Sequence, residues 1–523
     1  MQRNESRYSK LIRTFLPEAW NPLYSLGATT FYLFWIVAVS GLYLFVFFET
    51  SIEGAFDSVE FISNEQYLIG SIVRGLHRYA SAAMAITVTL HLIRELVKRR
   101  FVGARWFSWI SGVPLIWLLF ASAIGGYWLV WDEKAQYIAL TTARLFDVLP
   151  IVVEPMAFGL IDNATVSDRF FSLLIFLHVG IPLALLLGMF IHIKRINNAR
   201  IFPQKDYAAW MLGCLVVLSL VIPATSMGPA NLDAPIRSVE IDWFYMNVYP
   251  LIDIFGPTPV WALLSILTLA LLVLPLLVRD KNQHLAVVDP DFCNGCGWCF
   301  ADCPYEAIYM KPHDYKRNNE QAVVIAENCV GCGICAGACP SVTPFKSFDQ
   351  AKSGIDLLDF KNSDVLVDAR NKVAELDKQR RILVVGCAHG VDLGALESEH
   401  AAVIELECIG QLPPSYMDFL CRRDDVDAVL LTGCSSDNCY HRLGIELQEE
   451  RLHRLREPHL RYADVKEKIE RLWIGKGGEQ QLAATVAEMK RALEQRSAED
   501  AGTDDKDLVA QVLEAKEQER ENP

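Results

Sequence analysis

Two stretches of equal length stand out in the first half of the chain: HRYASAAMAITVTLH at residues 77–91 and HVGIPLALLLGMFIH at residues 178–192. Each begins and ends with histidine, and their 14-residue spacing is close to four helical turns, so both histidines share one helix face. If the two helices run in the same direction, two imidazoles face each other at each of two depths. This is the arrangement that two bis-histidine haems require, with the pairs His77/His178 (outer haem) and His91/His192 (inner haem). A hydrogen-bonded histidine within a bundle would explain one residue, but not two equal spacings.

Glycine repeats with the same period. A flat macrocycle between helices needs neighbouring backbone without a Cβ, so we assign to haem packing the pairs Gly27/Gly41 and Gly112/Gly126, each 14 residues apart. Close packing of helices through small residues is the alternative explanation. Arg74 and Arg78 lie near the start of the helix that carries His77 and can extend to the membrane interface. They are candidate contacts for haem propionates.

Six stretches have the length and composition of membrane spans, which need about 20 apolar residues. They are 19–48, 79–93 with its extension through 70–78, 106–131, 170–193, 207–232 and 254–278. Basic residues concentrate at the N-terminus and in the loops after the second, fourth and sixth spans, whereas the loop after the first is acidic. The positive-inside rule then places both ends of the chain in the cytoplasm of a bacterial-type inner membrane. The polar, basic start indicates no cleavable signal peptide.

Composition divides the chain into two parts. Ten of its 12 tryptophans lie before residue 280, and 13 of its 14 cysteines lie after it. The 523 residues are 52% hydrophobic with a net charge of −14, which argues against a nucleic-acid-binding protein because such a protein would present a basic face. We therefore expect a membrane half and a cysteine-rich soluble half.

The membrane half resembles cytochrome b of the bc-type quinol-oxidising complexes over residues 20–278, especially the chloroplast and cyanobacterial branch. The resemblance lies in NPLYSLGA (21–28), RGLHRY (74–79), GGYWLVWD (125–132), the RFF…H…P run (169–182) and PANLDAPIRSVEIDWFYMNVYP (229–250). It implies a dihaem bundle, reaction with the membrane quinone pool and a homodimer like that of bc-type complexes.

The resemblance also implies a catalytic carboxylate. The family carries a Pro-Glu-Trp-Tyr signature whose glutamate is implicated in taking a proton from quinol at the outer site. This chain has Ile-Asp-Trp-Phe at 241–244, so Asp242 is the candidate proton acceptor, with a solvated loop acid as the alternative. Two features depart from the family: Ser25 stands where the chloroplast-type branch attaches an extra haem through cysteine, and the chain has neither a Rieske domain nor a Cys-x-x-Cys-His motif.

A repeated cysteine pattern follows the membrane half. The spacing Cys-x-x-Cys-x-x-Cys-x-x-x-Cys-Pro occurs twice and is that of bacterial ferredoxins with two 4Fe–4S clusters, in which the fourth cysteine of each run ligates the other cluster. Zinc sites more often show isolated Cys-x-x-Cys pairs. We assign cluster one to Cys293, Cys296, Cys299 and Cys339, and cluster two to Cys329, Cys332, Cys335 and Cys303.

A third group of cysteines follows short apolar stretches that read as buried strands, RILVVGC (381–387), VIELECIG (403–410) and DAVLLTGC (427–434). The candidate ligands are Cys387, Cys408, Cys434 and Cys439. Residues 380–480 resemble the delta iron–sulfur subunit of methyl-viologen-reducing hydrogenases, which implies a 2Fe–2S cluster that exchanges electrons with a flavoprotein. Cys421 or His389 could replace one ligand, and a domain of buried cysteines without metal is the structural alternative.

The predicted fold class is therefore multidomain. An all-α bundle of six transmembrane helices occupies 1–280, a ferredoxin-like α+β domain 284–348, a linker 349–379, a small α/β iron–sulfur domain 380–480 and a charged helical or disordered tail 481–523. The chain shows no Gly-x-Gly-x-x-Gly fingerprint in a strand-turn-helix setting, so flavin or nicotinamide is expected in a partner.

These features together predict a membrane electron-transfer subunit of a quinone oxidoreductase. Two haems b, two 4Fe–4S clusters and one 2Fe–2S cluster would connect the quinone pool to a cytoplasmic flavoprotein, linked to NAD(P)H or another donor. Two alternatives remain open: an electron-transfer anchor without its own quinone site, and a bc-like bifurcating complex that needs a separate high-potential acceptor.

Overall fold

The structure is a computed structural model. It describes residues 25–102, 105–150, 166–194, 201–278 without 235 and 237, 285–340, 352–376, 381–396, 401–422, 426–436 and 439–495, with isolated positions between 151 and 165. The predicted tail beyond 496, the basic N-terminal segment and part of the basic loops lie outside the described residues. The chain divides into two compact units at about residue 282, which we call the membrane unit and the iron–sulfur unit.

The membrane unit is helical throughout its regular structure. Its helices are α1 (Leu26–Phe47), α2 (Gly54–Glu60), α3 (Tyr67–Val97), α4 (Trp106–Val130), α5 (Glu133–Asp147), α6 (Asp168–Lys194), α7 (Lys205–Val221), α8 (Tyr249–Phe255) and α9 (Pro257–Leu277). Among the described residues, α1, α3, α4, α6 and α9 are long and apolar enough to cross a membrane. These helices carry apolar side chains on all faces, because each face meets either lipid or a neighbouring helix and both are apolar.

The fifth predicted span, 207–232, differs from the structure. Helix α7 has 17 residues and ends at Val221, and Pro223 follows almost at once. A residue before proline disfavours helical backbone, which explains an end at this position. Residues 222–234 and 238–248 contain no helix, although most of this segment is apolar. The six-span topology, with both chain ends on the same side, stays a prediction.

The spanning helices pack in two close pairs, α1 with α3 and α4 with α6. Leu33, Ala80, Leu119 and Leu185 are buried together where the pairs meet. Helix α5 is amphipathic, and the Asp132 carboxylate caps its start by accepting from the Ala135 backbone N–H at 2.8 Å. Its apolar side packs with the start of α6 and with α8.

The iron–sulfur unit begins with a domain of two small antiparallel sheets and two short helices. Strand β1 (Ala286–Val288) pairs with β4 (Ile355–Leu357), and β2 (Ile308–Pro312) pairs with β3 (Glu320–Val324). Helices α10 (Trp298–Asp302) and α11 (Ile334–Gly337) each follow the second cysteine of a repeat. We call this part the ferredoxin module.

The second domain is α/β. Its parallel sheet has the order β6-β5-β7-β8, with strands β5 (Ile382–Cys387), β6 (Ala401–Leu406), β7 (Ala428–Gly433) and β8 (Ile469–Trp473). The helices are α12 (Asn362–Ala374), α13 (Pro414–Arg422), α14 (Gly444–Leu452), α15 (Ala463–Glu467) and α16 (479–495). Every residue of β5 and β7 is buried, as expected for central strands covered on both faces.

Two predicted boundaries fall inside folded structure. Residues 352–376 lie in the expected linker, yet they form β4, which completes a sheet with β1, and α12, which packs on β6. The expected tail begins at 481, but Leu482, Val486 and Met489 of α16 are buried against the sheet. A three-residue strand and short apolar stripes in charged helices are weak sequence signals, which explains both differences.

The two domains of the iron–sulfur unit share one hydrophobic core. The Arg451 guanidinium of α14, fully buried, contacts the Asp302 carboxylate of α10 at 2.6 Å, and Arg456 contacts the same carboxylate at 2.7 Å. A Cβ on Gly337 would lie 2.1 Å from the Gly410 carbonyl oxygen, so the backbones of the domains approach closely there. Because a buried charge is costly to leave unpaired, this ion pair favours a single docking geometry.

Candidate redox centres

The outer pair of histidines converges between α3 and α6. The rings of His77 and His178 lie with their centroids 6.3 Å apart. His77 Nδ1 contacts the Val37 carbonyl oxygen at 3.0 Å and Ser40 Oγ at 3.2 Å, and His178 Nδ1 contacts the Ser122 carbonyl oxygen at 2.9 Å. An imidazole held through Nδ1 can ligate a metal through Nε2, and such partners orient haem ligands.

The two inner histidines differ in their nearest polar partners. His192 Nδ1 contacts Ser111 Oγ of α4 at 2.9 Å, and His91 Nδ1 lies 3.9 Å from Glu95 Oε1, one turn along the same helix. These supporting residues were missed by the sequence analysis. The signal was present, since Ser40 and Ser111 each directly precede one of the periodic glycines.

Each periodic glycine lies against one histidine ring. A Cβ on Gly41 would lie 2.9 Å from His77 Cε1, and one on Gly126 would lie 2.8 Å from His178 Cε1. The corresponding distances are 3.3 Å from Gly112 to His192 and 3.5 Å from Gly27 to His91. Glycine therefore allows α1 to approach the rings of α3, and α4 those of α6. The pair of histidine nitrogens and the glycine backbone beside each ring fit haem b at both the outer and the inner level.

The two predicted propionate contacts have other neighbours in the structure. Arg74 is buried, pairs with Glu60 at 3.3 Å and donates to Ser226 Oγ at 2.6 Å. Arg78 lies close enough to Lys134 of α5 to act on it electrostatically. The predicted role of both arginines with haem propionates remains a proposal.

Asp242 is half-buried at the end of the bundle where α4 ends. Its Oδ2 accepts a hydrogen bond from the Tyr127 phenol of α4, and its Oδ1 accepts from the Phe244 backbone N–H at 2.8 Å. Burial and the charge of Arg78 lower the pKa of nearby Lys134, while acids including Asp132 and Asp242 oppose this shift. The two hydrogen bonds hold the Asp242 carboxylate in place, and its role as a quinol proton acceptor stays a prediction.

The first thiol site of the ferredoxin module contains the four cysteines assigned to cluster one. They line one pocket together with Met310, Ala322 and Ile355. Burial and the nearby thiols of Cys296, Cys339 and Cys293 raise the pKa of Cys299 to about 12. Cys296 is exposed, whereas the other three are buried. Crowded thiols of this kind need bound cations in order to ionise, which fits an iron–sulfur cluster.

The second thiol site groups the cysteines assigned to cluster two. Burial and the neighbouring thiols of Cys332, Cys329, Cys303 and Cys299 raise the pKa of Cys335 well above its usual value. Cys303 Sγ accepts from the Ala307 backbone N–H at 3.3 Å, the kind of hydrogen bond that tunes cluster potentials. Both repeats place glycines with positive φ directly before and after the second cysteine, at Gly295, Gly297, Gly331 and Gly333.

The third thiol site lies at the carboxyl ends of β5, β6 and β7. Cys387 Sγ is 4.0 Å from Cys434 Sγ. Hydrogen bonds from Cys408 and Cys434 lower the pKa of Cys439, so these four sulfur atoms form one group. Cys421 lies elsewhere, in α13, where burial outweighs the nearby Lys468 ammonium and raises its pKa to about 12. Cys214 lies in the membrane unit, exposed on α7.

The thiol sites follow one another through the iron–sulfur unit. Cys299 of the first site acts electrostatically on Cys335 of the second. Cys332 of the second site acts in the same way on Cys408 of the third. The second site therefore lies between the other two.

Comparison with known families identifies three matched regions. Residues 11–200 match the cytochrome b/b6/petB model, residues 292–342 the 4Fe–4S dicluster domain, and residues 394–496 the delta subunit of methyl-viologen-reducing hydrogenase. The predicted fusion is therefore confirmed, and the chain carries a cytochrome b-like region followed by iron–sulfur regions. The hydrogenase-delta match begins after Cys387.

Individual relatives match the membrane half. The cytochrome b subunit of menaquinol:cytochrome c reductase from Bacillus subtilis (strain 168) is 27% identical over 192 residues, 34% of this chain and 85% of the relative. Cytochrome b6 of Heliobacterium mobile is 29% identical over 178 residues, 33% and 83% of the two chains. A solved chain titled "Hyperthermophilic respiratory Complex III" has 22% identity and a TM-score of 0.40, covering 53% of this chain and 82% of its own.

Replacing Gly126 with alanine should displace the outer haem, because the new methyl would lie 2.8 Å from His178 Cε1. We expect the haem b content of the purified chain, measured by the pyridine haemochrome assay, to fall to about half. Gly180→Ala, on the same helix as His178 and with no atom within 4 Å of the new methyl, is the control and should keep its haem. Unchanged haem in Gly126→Ala would contradict the assignment.

If the third thiol site holds the expected 2Fe–2S cluster, replacing Cys434 with serine should remove that cluster alone, because its thiol lies within the third group of sulfur atoms. We expect acid-labile sulfide to fall by about two per chain and the 2Fe–2S signal in electron paramagnetic resonance to disappear, while 4Fe–4S signals remain. Cys421→Ser is the matched control, since Cys421 is equally buried but lies outside the group. Loss of the signal in Cys421→Ser instead would show that the ligand set is wrong.

Proposed function

We propose that the chain is the membrane electron-transfer subunit of a quinone oxidoreductase. The observation that supports this most directly is the succession of metal-ligand sets in one polypeptide: three thiol sites in sequence in the iron–sulfur unit, and two histidine pairs in the membrane unit. Bound iron–sulfur clusters and haems supply one-electron transfer. The relationship to cytochrome b, which in one relative belongs to a menaquinol:cytochrome c reductase, favours a quinone as the membrane substrate.

The roles of the protein residues follow from their contacts. The histidines and thiols hold the cofactors at fixed spacings, and the serine and carbonyl partners of His77, His178 and His192 set the orientations of these rings. Asp242 accepts the proton that a quinol loses on oxidation, or returns one to a reduced quinone. Tyr127 holds the carboxylate in place, and the aspartate side chain is one methylene shorter than the glutamate of the family signature.

The two levels of histidine ligands affect the free energy of the proposed reaction, because they allow charge to cross the membrane. Reduction of a quinone at the inner face alone would need no pair of haems across the membrane. Two levels support the transfer of charge across the bilayer, which is worth about 2.3 kcal/mol per charge for each 100 mV. The proposed enzyme therefore couples its redox reaction to the membrane potential.

Asp242→Asn should lower quinone-linked turnover by about 100-fold, because proton transfer by a positioned side chain contributes factors of this size. The assay follows reduction or oxidation of a short-chain quinone by the purified holo-complex, and the haem spectrum should be unchanged. Asp253→Asn is a close control, since Asp253 also accepts from a tyrosine, Tyr137, at 2.6 Å but is exposed. Unchanged turnover in Asp242→Asn would favour an electron-transfer anchor without its own quinone site.

The soluble partner is expected to be a cytoplasmic flavoprotein that docks on residues 380–480, since a chain of one-electron cofactors needs a two-electron donor or acceptor at one end. Flavin released by acid from the complex purified out of native membranes should amount to about one per chain. Leu455 is an exposed apolar residue of this region, and Leu455→Asp should lower the flavin yield without changing sulfide content. Leu358→Asp, in the ferredoxin module, is the control, and a complex with no flavin would refute the partner.

A further inference from the structure

A group of two histidines and one glutamate lies beside the third thiol site. Among its members only His389 was considered above, as an alternative cluster ligand, and the proposed function gives the group no role. His389 Nε2 is 3.0 Å from Glu407 Oε1, and His441 Nε2 is 3.7 Å from the same oxygen. The three ligand atoms all lie within 4.8 Å of one another. We propose that His389, Glu407 and His441 bind one divalent transition-metal ion of the zinc class, at a site separate from the cysteine-held clusters.

The fold brings these residues together although 52 positions separate the first from the last. Strands β5 and β6 are adjacent and parallel, with Cys387 paired to Leu406 at their ends. Glu407 comes directly after β6 and His389 lies two residues after the end of β5, while His441 follows the loop after β7, the other neighbour of β5. The carboxyl ends of parallel strands meet at one edge, which is where ligand sites form in such sheets.

The rings are held as metal-binding imidazoles usually are. His441 is buried, and its Nδ1 lies 3.1 Å from the Tyr305 hydroxyl of the ferredoxin module. His389 stacks on Tyr440, with ring centroids 3.6 Å apart and planes 16° from parallel. A metal-ligating histidine commonly donates its second ring N–H to an oxygen, and Tyr305 supplies that oxygen to His441.

The donor set and its spacing select the kind of ion. Zinc bound by nitrogen and oxygen has ligand distances of about 2.1 Å, so neighbouring ligands of a tetrahedral ion lie about 3.4 Å apart. The two distances from Glu407 Oε1, 3.0 and 3.7 Å, lie on either side of this value. Imidazole ligands exclude calcium and magnesium as the natural occupants, since those ions prefer oxygen ligands alone.

Such an ion would join parts of the unit that the sequence keeps apart. It would connect the ends of β5 and β6 with the loop after β7, and through His441 and Tyr305 it would reach the ferredoxin module. Since the binding energy of a structural metal adds to the free energy of folding, the ion would stabilise the docking of the two domains. Metal binding at this group requires no quinone chemistry.

The test uses the full chain purified without oxygen, with its clusters and haems in place, and then incubated with zinc sulfate and desalted. We expect about one zinc ion per chain by mass spectrometry, beyond the iron accounted for by sulfide and haem. X-ray absorption at the zinc edge should show nitrogen and oxygen neighbours at about 2.0–2.1 Å and no sulfur at about 2.3 Å. No retained zinc, or zinc with sulfur neighbours, would overturn the proposal; the second result would show zinc in a cysteine site.

Variants provide the matched comparison. Glu407→Gln keeps the size of the side chain and should lower zinc retention at least tenfold while the sulfide content stays unchanged. Glu457→Gln is the control, because Glu457 contacts His459 at 3.1 Å in a more exposed pair. If Glu407→Gln also lost its clusters, the half-exposed His389→Gln would replace it. Full zinc retention in a cluster-containing Glu407→Gln or His389→Gln protein would show a hydrogen-bonded His–Glu–His group without metal.

Discussion

The membrane unit depends on one steric constraint: each candidate haem-ligating ring lies where the neighbouring helix has no Cβ. At Gly41 and Gly126 an added methyl would lie within 3.0 Å of a histidine ring atom, so even alanine would displace the ring. The helix pairs α1/α3 and α4/α6 follow from this, since one partner of each pair carries the histidines and the other the glycines. Their shared period of 14 residues sets two ligand levels about 21 Å apart along the bundle.

The iron–sulfur unit contains thiols that are buried close together, and ionising such thiols costs free energy. At the first two sites burial and neighbouring thiols raise the pKa of Cys299 and Cys335, so these thiols ionise readily only beside bound cations, which fits a metal centre. The two domains that carry the three thiol sites share a core and are joined by the buried ion pair of Asp302 and Arg451. Asp302 directly precedes Cys303, so the same contact also positions a ligand of the second site.

Sequence reasoning gave its most definite predictions where candidate ligands follow one another at short or regular intervals. The two cysteine runs and the histidine spacing are local, because a helix or a tight loop converts separation along the chain directly into distance. Sequence reasoning was less successful where an element was short, where its apolar residues were few among charged ones, or where an apolar stretch outlasted its helix. Strand β4 has three residues, the buried stripe of α16 lies in a charged helix, and α7 ends at Val221 inside an apolar stretch that was predicted to continue to 232.

The sequence by itself therefore determined the fusion of a cytochrome b-like region with iron–sulfur regions, and it supplied the candidate ligands, their two proposed haem levels and the ferredoxin spacing. Only the tertiary structure decided which distant side chains meet. Tyr127 and Asp242 are 115 residues apart, and Tyr305 and His441 are 136 residues apart. Contacts of this kind depend on how helices and strands pack, and no local periodicity encodes them. The same packing separates Cys421 from the other cysteines of its domain and brings His389, Glu407 and His441 to one edge of the sheet.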